Sequence, residues 1–248
     1  MKRIGLLLLA VLVGATTATT RQPGSAELPA VLDASRILPG SHAFELRVGG
    51  KVIGTMTVGI ERSGDGFLFK EATTTPSHSQ TTEVRFSRDL RMTSVRQNGR
   101  LNGAGTHVDV AYAGGRASGA ARIPGAGGLR DVKVDAAVPP NVIDDNLLVL
   151  LLPAMPWAAQ ASWTVPVFAS GKGTLTEQTF RVGAIESIDT PSGAYRTYRA
   201  DVSGGEQPVT FYVTADAPHQ LVKLAVPGSP LEIVRTSLLD TSKAPDVR

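Results

Sequence analysis

Histidines are the first side chains in this sequence that could do chemistry, and the chain has four of them. His107 and Asp109 stand two residues apart in a segment with strand alternation, so both lie on one face and could share a metal ion or a proton. A metal site needs three or four ligands, so a solvated strand face explains this pair better. His78 lies between two serines, but neighbouring strand residues point to opposite faces, which argues against a catalytic Ser–His pair.

Asp144 and Asp145 are adjacent carboxylates at the start of an apolar segment. A general acid–base pair needs two carboxyl groups that face one site, about 5–9 Å apart. Consecutive residues at a helix start do not face each other, so we expect one of the two to cap a helix instead. The sequence has no Gly-x-Ser-x-Gly elbow, zinc helix, phosphate-binding loop or dinucleotide fingerprint in a fitting context. We therefore predict no catalytic residue, no metal ligand, no cofactor and no enzymatic activity.

The segment that the two aspartates begin, Val142 to Trp157, is apolar on every side. Its composition predicts a short helix near residues 144–152, which Pro153 and Pro156 end. A helix without a polar face must be covered all round, so we expect it to act as a plug against a curved sheet. The side chains expected to line a ligand cavity beside this plug are Leu148, Leu151, Trp157 and Phe211.

The rest of the chain alternates apolar and polar residues with period two and is punctuated by glycine-rich turns. Gly49-Gly50, Asn98-Gly99 and Gly114-Gly115 are typical of two-residue hairpins between antiparallel strands. The pattern predicts an all-β fold with one short helix: a curved antiparallel meander, barrel-like or half-barrel-like. A single β domain is expected over residues 42–238.

The N-terminus resembles an export signal. A basic start is followed by an apolar run of about 12 residues and then by small residues, which predicts a signal peptide over residues 1–18 and a periplasmic or secreted protein. The run is too short to cross a membrane as a helix, and no later segment is as long, so no transmembrane span is expected. Residues 19–41 are interpreted as a lead-in segment and residues 239–248 as a tail.

Composition excludes several classes of protein. The 248 residues include no cysteine, so disulfides, thiol chemistry and cysteine-ligated metals are absent. Residues 85–133 carry nine basic side chains against three acidic ones, but a solvated sheet surface explains them better than an anionic partner does. Aromatic residues make up 5% of the chain and do not alternate with the arginines, so no nucleic-acid partner is expected.

Four stretches of the chain resemble a known family. DDNLLVLLLPAMPWAAQASWTVPVF is similar to its aspartate-led helix and following strand, and RVGGKVIGTMTV is similar to its opening hairpin. TPSGAYRTYRADVSGG and PVTFYVTADAPHQLVKLAVP resemble its later turn and hairpin. The family is the exported bacterial group called domain of unknown function 3108, and the resemblance covers Ala43 to Val234. It implies a curved antiparallel sheet or barrel, and it implies no activity.

Three functions stay open at this point. The first is an envelope protein that binds a lipid or another hydrophobic small molecule in a cavity of the sheet, or an envelope protein partner. The second is a structural or interaction scaffold whose barrel is filled by its own side chains. The third, a hydrolase with a dispersed active site, needs convergent polar side chains that the sequence does not display.

Overall fold

A computed structural model describes residues 26–27, 32–125 and 127–237 of the chain. The predicted signal peptide and the predicted tail lie outside these residues. The described part is mostly strand, in sixteen segments: β1 Ala26–Glu27, β2 Gly40–Val48, β3 Lys51–Ser63, β4 Gly66–Thr74, β5 His78–Phe86, β6 Met92–Leu101, β7 Ala104–Ala113, β8 Arg116–Gly125, β9 Gly128–Ala137, β10 Ile143–Asp144, β11 Ser162–Ala169, β12 Thr174–Thr190, β13 Gly193–Ser203, β14 Val209–Thr214, β15 Leu221–Ala225 and β16 Leu231–Arg235.

All of the strands belong to one sheet. Neighbours in the chain pair antiparallel from β2 to β9 and again from β11 to β16, and the two runs are joined where β16 pairs with β2. The predicted antiparallel meander is confirmed. It has one addition, because the two-residue strands β1 and β10 pair parallel to β11. The path ends at β9 and does not close back on β11 among the described residues, so the sheet is barrel-like and open.

The sheet curls until its two ends approach each other. Tyr112 of β7 and Phe168 of β11 are in edge-to-face contact, with ring centres 6.0 Å apart. At Gly171, in the turn after β11, an added Cβ would lie 3.3 Å from Ile123 of β8 and 3.7 Å from Val108 of β7. The concave face is therefore enclosed by strands from both halves of the chain.

Paired glycines set the tightest turns. Gly49 and Gly50 both have positive φ, +57° and +78°, as a two-residue hairpin of the favoured twist requires. The hairpin predicted at Asn98-Gly99 is wrong, because both residues lie inside β6 and the chain turns four residues later, at Asn102-Gly103.

The plug fills the concave side of the sheet. Its regular part is shorter than predicted: an α-helix, α1, at Leu148–Leu151, followed by a 3-10 turn at Leu152–Ala154. The predicted aspartate cap is wrong. The residue before the helix is Leu147, which makes no side-chain cap, and Asp144 instead accepts the N–H of Asn146 at 2.9 Å.

The leucines of this segment form the middle of the hydrophobic core. Leu147, Leu151 and Leu152 have no exposed surface, and they pack with the inward residues of strands from both halves of the sheet. The interior beside the plug is therefore occupied by the protein's own side chains. No helix among the described residues has the length and apolar character needed to cross a membrane.

Candidate functional site

An open groove runs along the rim of the sheet, where the last turn of the plug meets the starts of β2 and β15. It consists of an open cleft of about 650 Å³ and a narrow, partly open pocket of about 40 Å³ that shares part of its wall. We call it the rim groove. Its lining residues are Arg36, Leu38, Gly40, His42, Phe44, Val58, Ile60, Val149, Leu150, Pro153, Trp157, Ala217, Pro218, His219, Gln220 and Leu221.

The walls of the rim groove are mainly apolar. Val149 and Pro153 come from the plug, and Val58 and Ile60 come from the inner face of β3. Leu38 lies at the mouth, where 41% of it is exposed, which is high for a large hydrophobic residue of this chain. Apolar walls with a few polar groups are typical of sites for small hydrophobic ligands.

Three polar side chains meet at the inner end of the groove: His42, Gln220 and Arg235. His42 lies in β2, Arg235 is the last residue of β16 and Gln220 directly precedes β15. These three strands are adjacent, and β15 begins, β16 ends and β2 begins at the same edge of the sheet. The Arg235 Nη2 atom lies 2.5 Å from His42 Nδ1 and 2.7 Å from Gln220 Oε1. Its Nε donates to the carbonyl of Ser237 at 2.7 Å. We call these three side chains the rim triad.

Arg235 is a buried cation, with 1% of its surface exposed. Burial lowers the pKa of its guanidinium, but arginine stays protonated in proteins. Its hydrogen-bond acceptors are all neutral, and the face of the Tyr195 ring lies 5.9 Å from the guanidinium carbon. Among the described residues Arg235 forms no ion pair with a carboxylate. Buried charges are usually paired, so this charge is unusual.

His42 is held neutral in one tautomer. Burial, together with the positive charge of Arg235, lowers the pKa of His42 to about 4. Arginine can only donate hydrogen bonds, so Nδ1 of His42 accepts and its Nε2 carries the proton. Nε2 has no acceptor among the described residues, and His42 contributes to the wall of the narrow pocket. The rim triad thus offers an unused N–H donor in front of a buried positive charge.

The outer end of the groove is aromatic. The rings of Trp157, Tyr198 and His219 lie 6.2–6.4 Å from one another. His219 Nδ1 donates to the carbonyl of Thr214 at 2.9 Å, which leaves its Nε2 as an acceptor. Trp157 is fixed by its indole N–H, which donates to the Leu152 carbonyl at 2.6 Å.

A second polar cluster lies at the opposite end of the plug. Asp144 is fully buried, and its Oδ2 accepts the hydroxyl of Tyr112 at 2.5 Å. Its Oδ1 accepts the backbone and side-chain N–H groups of Asn146. Asn146 in turn accepts a hydrogen bond from Gln97 of β6 at 2.9 Å. These contacts tie the plug to β6 and β7, so we interpret the cluster as an anchor.

Burial and a neighbouring carboxyl raise two pKa values at the anchor. Burial raises the pKa of Asp145 well above its usual range, and the neighbouring Asp144 carboxyl raises it further. Burial and Asp144 likewise raise the pKa of Tyr112. Both carboxyl groups accept hydrogen bonds from the Asn146 side chain, at 2.7 Å for Asp144 and 3.0 Å for Asp145, and neither lines the rim groove.

The structure places the four predicted cavity residues in two different environments. Trp157 lines the open cleft, as a cavity residue would. Leu148, Leu151 and Phe211 lie in the core, with exposed fractions of 6% or less, and do not line the rim groove. Their part in ligand binding stays a prediction.

The other sequence candidates lie elsewhere. His107 is exposed on β7, and Asp109 beside it on the same face lies 3.6 Å from Arg96. No cluster of three or more potential metal ligands occurs within residues 32–125 and 127–237. Sequence reasoning missed the rim triad, whose members are far apart in the chain and carry no motif.

The fold and its filled concave face define a class of barrel-like β proteins, and a solved structure supports this assignment. The chain is similar to a β-barrel-like protein of the domain of unknown function DUF1849 from Brucella abortus, with 12% identity and a TM-score of 0.53. The similarity covers 83% of this chain and 98% of that one. At this identity it shows the fold alone.

Two further solved structures are less similar to the chain. One is to a DUF1089 family protein from Pseudomonas aeruginosa, with 7% identity, coverage of 88% and 98%, and a TM-score of 0.40. The other is to a Bacteroides fragilis protein described as exported, with a YmcC-like fold, 9% identity, coverage of 80% and 94%, and a TM-score of 0.27.

The family follows from the sequence itself. Residues 43–228 match the family described as protein of unknown function DUF3108, so the chain belongs to that family. This confirms the resemblance carried by the hairpin and turn motifs. No curated protein matches the chain.

Proposed function

We propose that this protein is an exported, non-enzymatic module of the cell envelope that binds the apolar chain of an amphiphilic small molecule in the rim groove. The observation that carries the proposal is the groove itself, an open cleft of about 650 Å³ with mainly apolar walls. The export part rests on the predicted signal peptide.

Burial and charge both support an amphiphile as the occupant. The walls are apolar at Leu38, Val58 and Val149, whereas the inner end carries the neutral donor of His42 in front of the Arg235 charge. A wholly apolar ligand would leave that donor without an acceptor. A wholly polar ligand would leave the apolar walls in contact with water.

The test uses the neutral dye N-phenylnaphthylamine, whose fluorescence rises in apolar surroundings. We expect saturable binding that barely depends on salt, because the contact is apolar. Leu38→Gln should weaken binding by about threefold to tenfold, since it replaces part of an apolar wall.

Leu175→Gln is the matched control. Leu175 is 44% exposed, as Leu38 nearly is, but it lies on β12 and does not line the groove. We expect dye binding of this variant to equal that of the natural protein. Equal losses in the two variants, or no saturable binding by the natural protein, would contradict the proposal.

The filled interior favours a second candidate, a structural scaffold of the envelope. In that case the buried leucines of the plug serve stability alone and the groove stays empty in the cell. Lipid extraction from protein purified from the periplasm separates the two candidates, because a scaffold carries no stoichiometric amphiphile.

A further inference from the structure

The buried charge of Arg235 narrows the class of ligand. We infer that the rim groove selects an anionic amphiphile, a single acyl chain with a carboxylate or phosphate head, and that the rim triad holds the head. This inference rests on the proposed function, since it identifies the occupant of the same groove.

The first step is the missing counter-charge. Arg235 is 1% exposed and its three hydrogen bonds go to neutral acceptors. Removing a guanidinium from water is costly unless an anion compensates it. Within the described residues, no carboxylate forms an ion pair with it and no Asp or Glu lines the groove. An anion bound in the groove would supply the compensation.

The second step is the route from the groove to the charge. His42 lines the narrow pocket and also contacts Arg235, because its Nδ1 accepts from the guanidinium. Its protonated Nε2 can then donate to a ligand oxygen while Arg235 polarises the ring. Hydrogen bonds to charged acceptors are stronger than those to neutral ones, so this donor favours a carboxylate or phosphate over a hydroxyl.

The third step concerns the other cation of the groove. Arg36 lines both parts of the groove, but its Nε lies 3.2 Å from Asp33 Oδ2. Half of each side chain is exposed, so this pair is largely neutralised and screened by solvent. Selectivity for an anion is therefore assigned to His42 and Arg235 rather than to Arg36.

The experiment compares ligands of one chain length by displacement of bound N-phenylnaphthylamine from the full chain at neutral pH. The ligands are dodecanoate, dodecyl phosphate, dodecanol and dodecylammonium, with inorganic phosphate as the head alone. We expect the two anionic amphiphiles to displace the dye at concentrations about tenfold or more below dodecanol. Dodecylammonium should be the weakest of the four, and inorganic phosphate should not compete.

A pair of variants assigns the selectivity to the rim triad. His42→Phe removes the donor, and we expect it to reduce the preference for dodecanoate over dodecanol to less than about threefold while dodecanol binding is retained. His78→Phe is the control, because His78 is a partly buried histidine outside the groove. It should keep the full preference.

The outcomes separate the inference from the proposed function. If none of the chains displaces the dye, the proposed function fails as well. If all four chains displace it equally, the groove binds apolar chains but the inference is overturned. Competition by inorganic phosphate as strong as by dodecyl phosphate also overturns it, since the site would then recognise an anion alone. The comparison of ligands on the natural protein distinguishes these outcomes even if His42→Phe does not fold.

Discussion

Replacing Tyr112 by phenylalanine tests whether the buried carboxylate anchors the plug. The change removes one hydroxyl and keeps the ring, which stays in contact with Phe168. The hydroxyl donates to Oδ2 of Asp144 at 2.5 Å, and Asp144 has no exposed surface. The variant therefore takes a hydrogen bond from a buried charge that water cannot reach.

The expected cost follows from that geometry. Hydrogen bonds to charged groups contribute about 1.5–3 kcal/mol to stability. For a domain of this size, 1 kcal/mol corresponds to roughly 2–4 °C in Tm, so Tyr112→Phe should lower Tm by about 3–12 °C. Tyr212→Phe is the matched control. The Tyr212 hydroxyl donates no hydrogen bond to a described residue, and its ring lies under the Lys223 ammonium.

The assay is thermal unfolding followed by circular dichroism at neutral pH. The same change is then made in the Asp144→Asn variant, where the hydrogen-bond acceptor is neutral. There the loss of unfolding free energy caused by Tyr112→Phe should be smaller by about 1 kcal/mol. Equal Tm values for Tyr112→Phe and Tyr212→Phe, to within about 1 °C, would refute the anchor.

Two further variants test close packing and the carboxyl pair. Gly54→Ala should lower the urea midpoint of unfolding, because an added Cβ would lie 2.3 Å from the Thr74 carbonyl oxygen. Gly105→Ala is the control, and because the space around its Cβ is open, it should leave the midpoint unchanged or raise it slightly. Equal midpoints for the two variants would contradict the close approach of Gly54 to Thr74. Asp145→Asn should become more stable than the natural protein as pH rises from about 4 towards 8. The raised pKa keeps the folded Asp145 protonated where the unfolded chain ionises, so its stabilisation is present below about pH 4 and is lost as pH rises through the folded pKa. The measurement is the free energy of unfolding in urea, plotted against pH for Asp145→Asn and for the natural protein. Two parallel curves across that range would count against a raised pKa of Asp145.

Local patterns predicted the meander because they are set by neighbours in the chain. Period-two alternation and Gly-Gly pairs fix strands and turns without reference to distant residues, and Gly49-Gly50 turns as expected. Asn98-Gly99 shows the limit of such signals. Val95 of β6 pairs with Val110 of β7, and both side chains are buried. To keep this pairing, the strand continues through Asn98-Gly99 and the chain turns at the next Asn-Gly pair.

Long-range pairing decided what the sequence could not predict. The rim triad depends on β16 meeting β2, which places His42 and Arg235, 193 residues apart, within a hydrogen bond. No spacing rule joins residues at that separation. The helix cap failed for a similar reason, since Asp144 finds its partner in Tyr112, 32 residues away. The buried Asp144 carboxyl instead accepts the hydroxyl of Tyr112 and the N–H groups of Asn146, which satisfy it without a helix cap.

The shortness of the plug explains why the site lies at the rim. A four-residue helix fills the middle of a curved sheet with Leu151 and its neighbours, but it cannot also cover the edge. Val149 of the helix and Pro153 of the following turn line the narrow pocket of the rim groove together with Val58. The same edge receives the ends of β2 and β16 and so carries the buried Arg235 charge. Apolar walls and a buried charge without a carboxylate partner among the described residues therefore lie close together at this edge. The proposed amphiphile would therefore bind at this edge, since the interior of the sheet is filled by side chains of the plug.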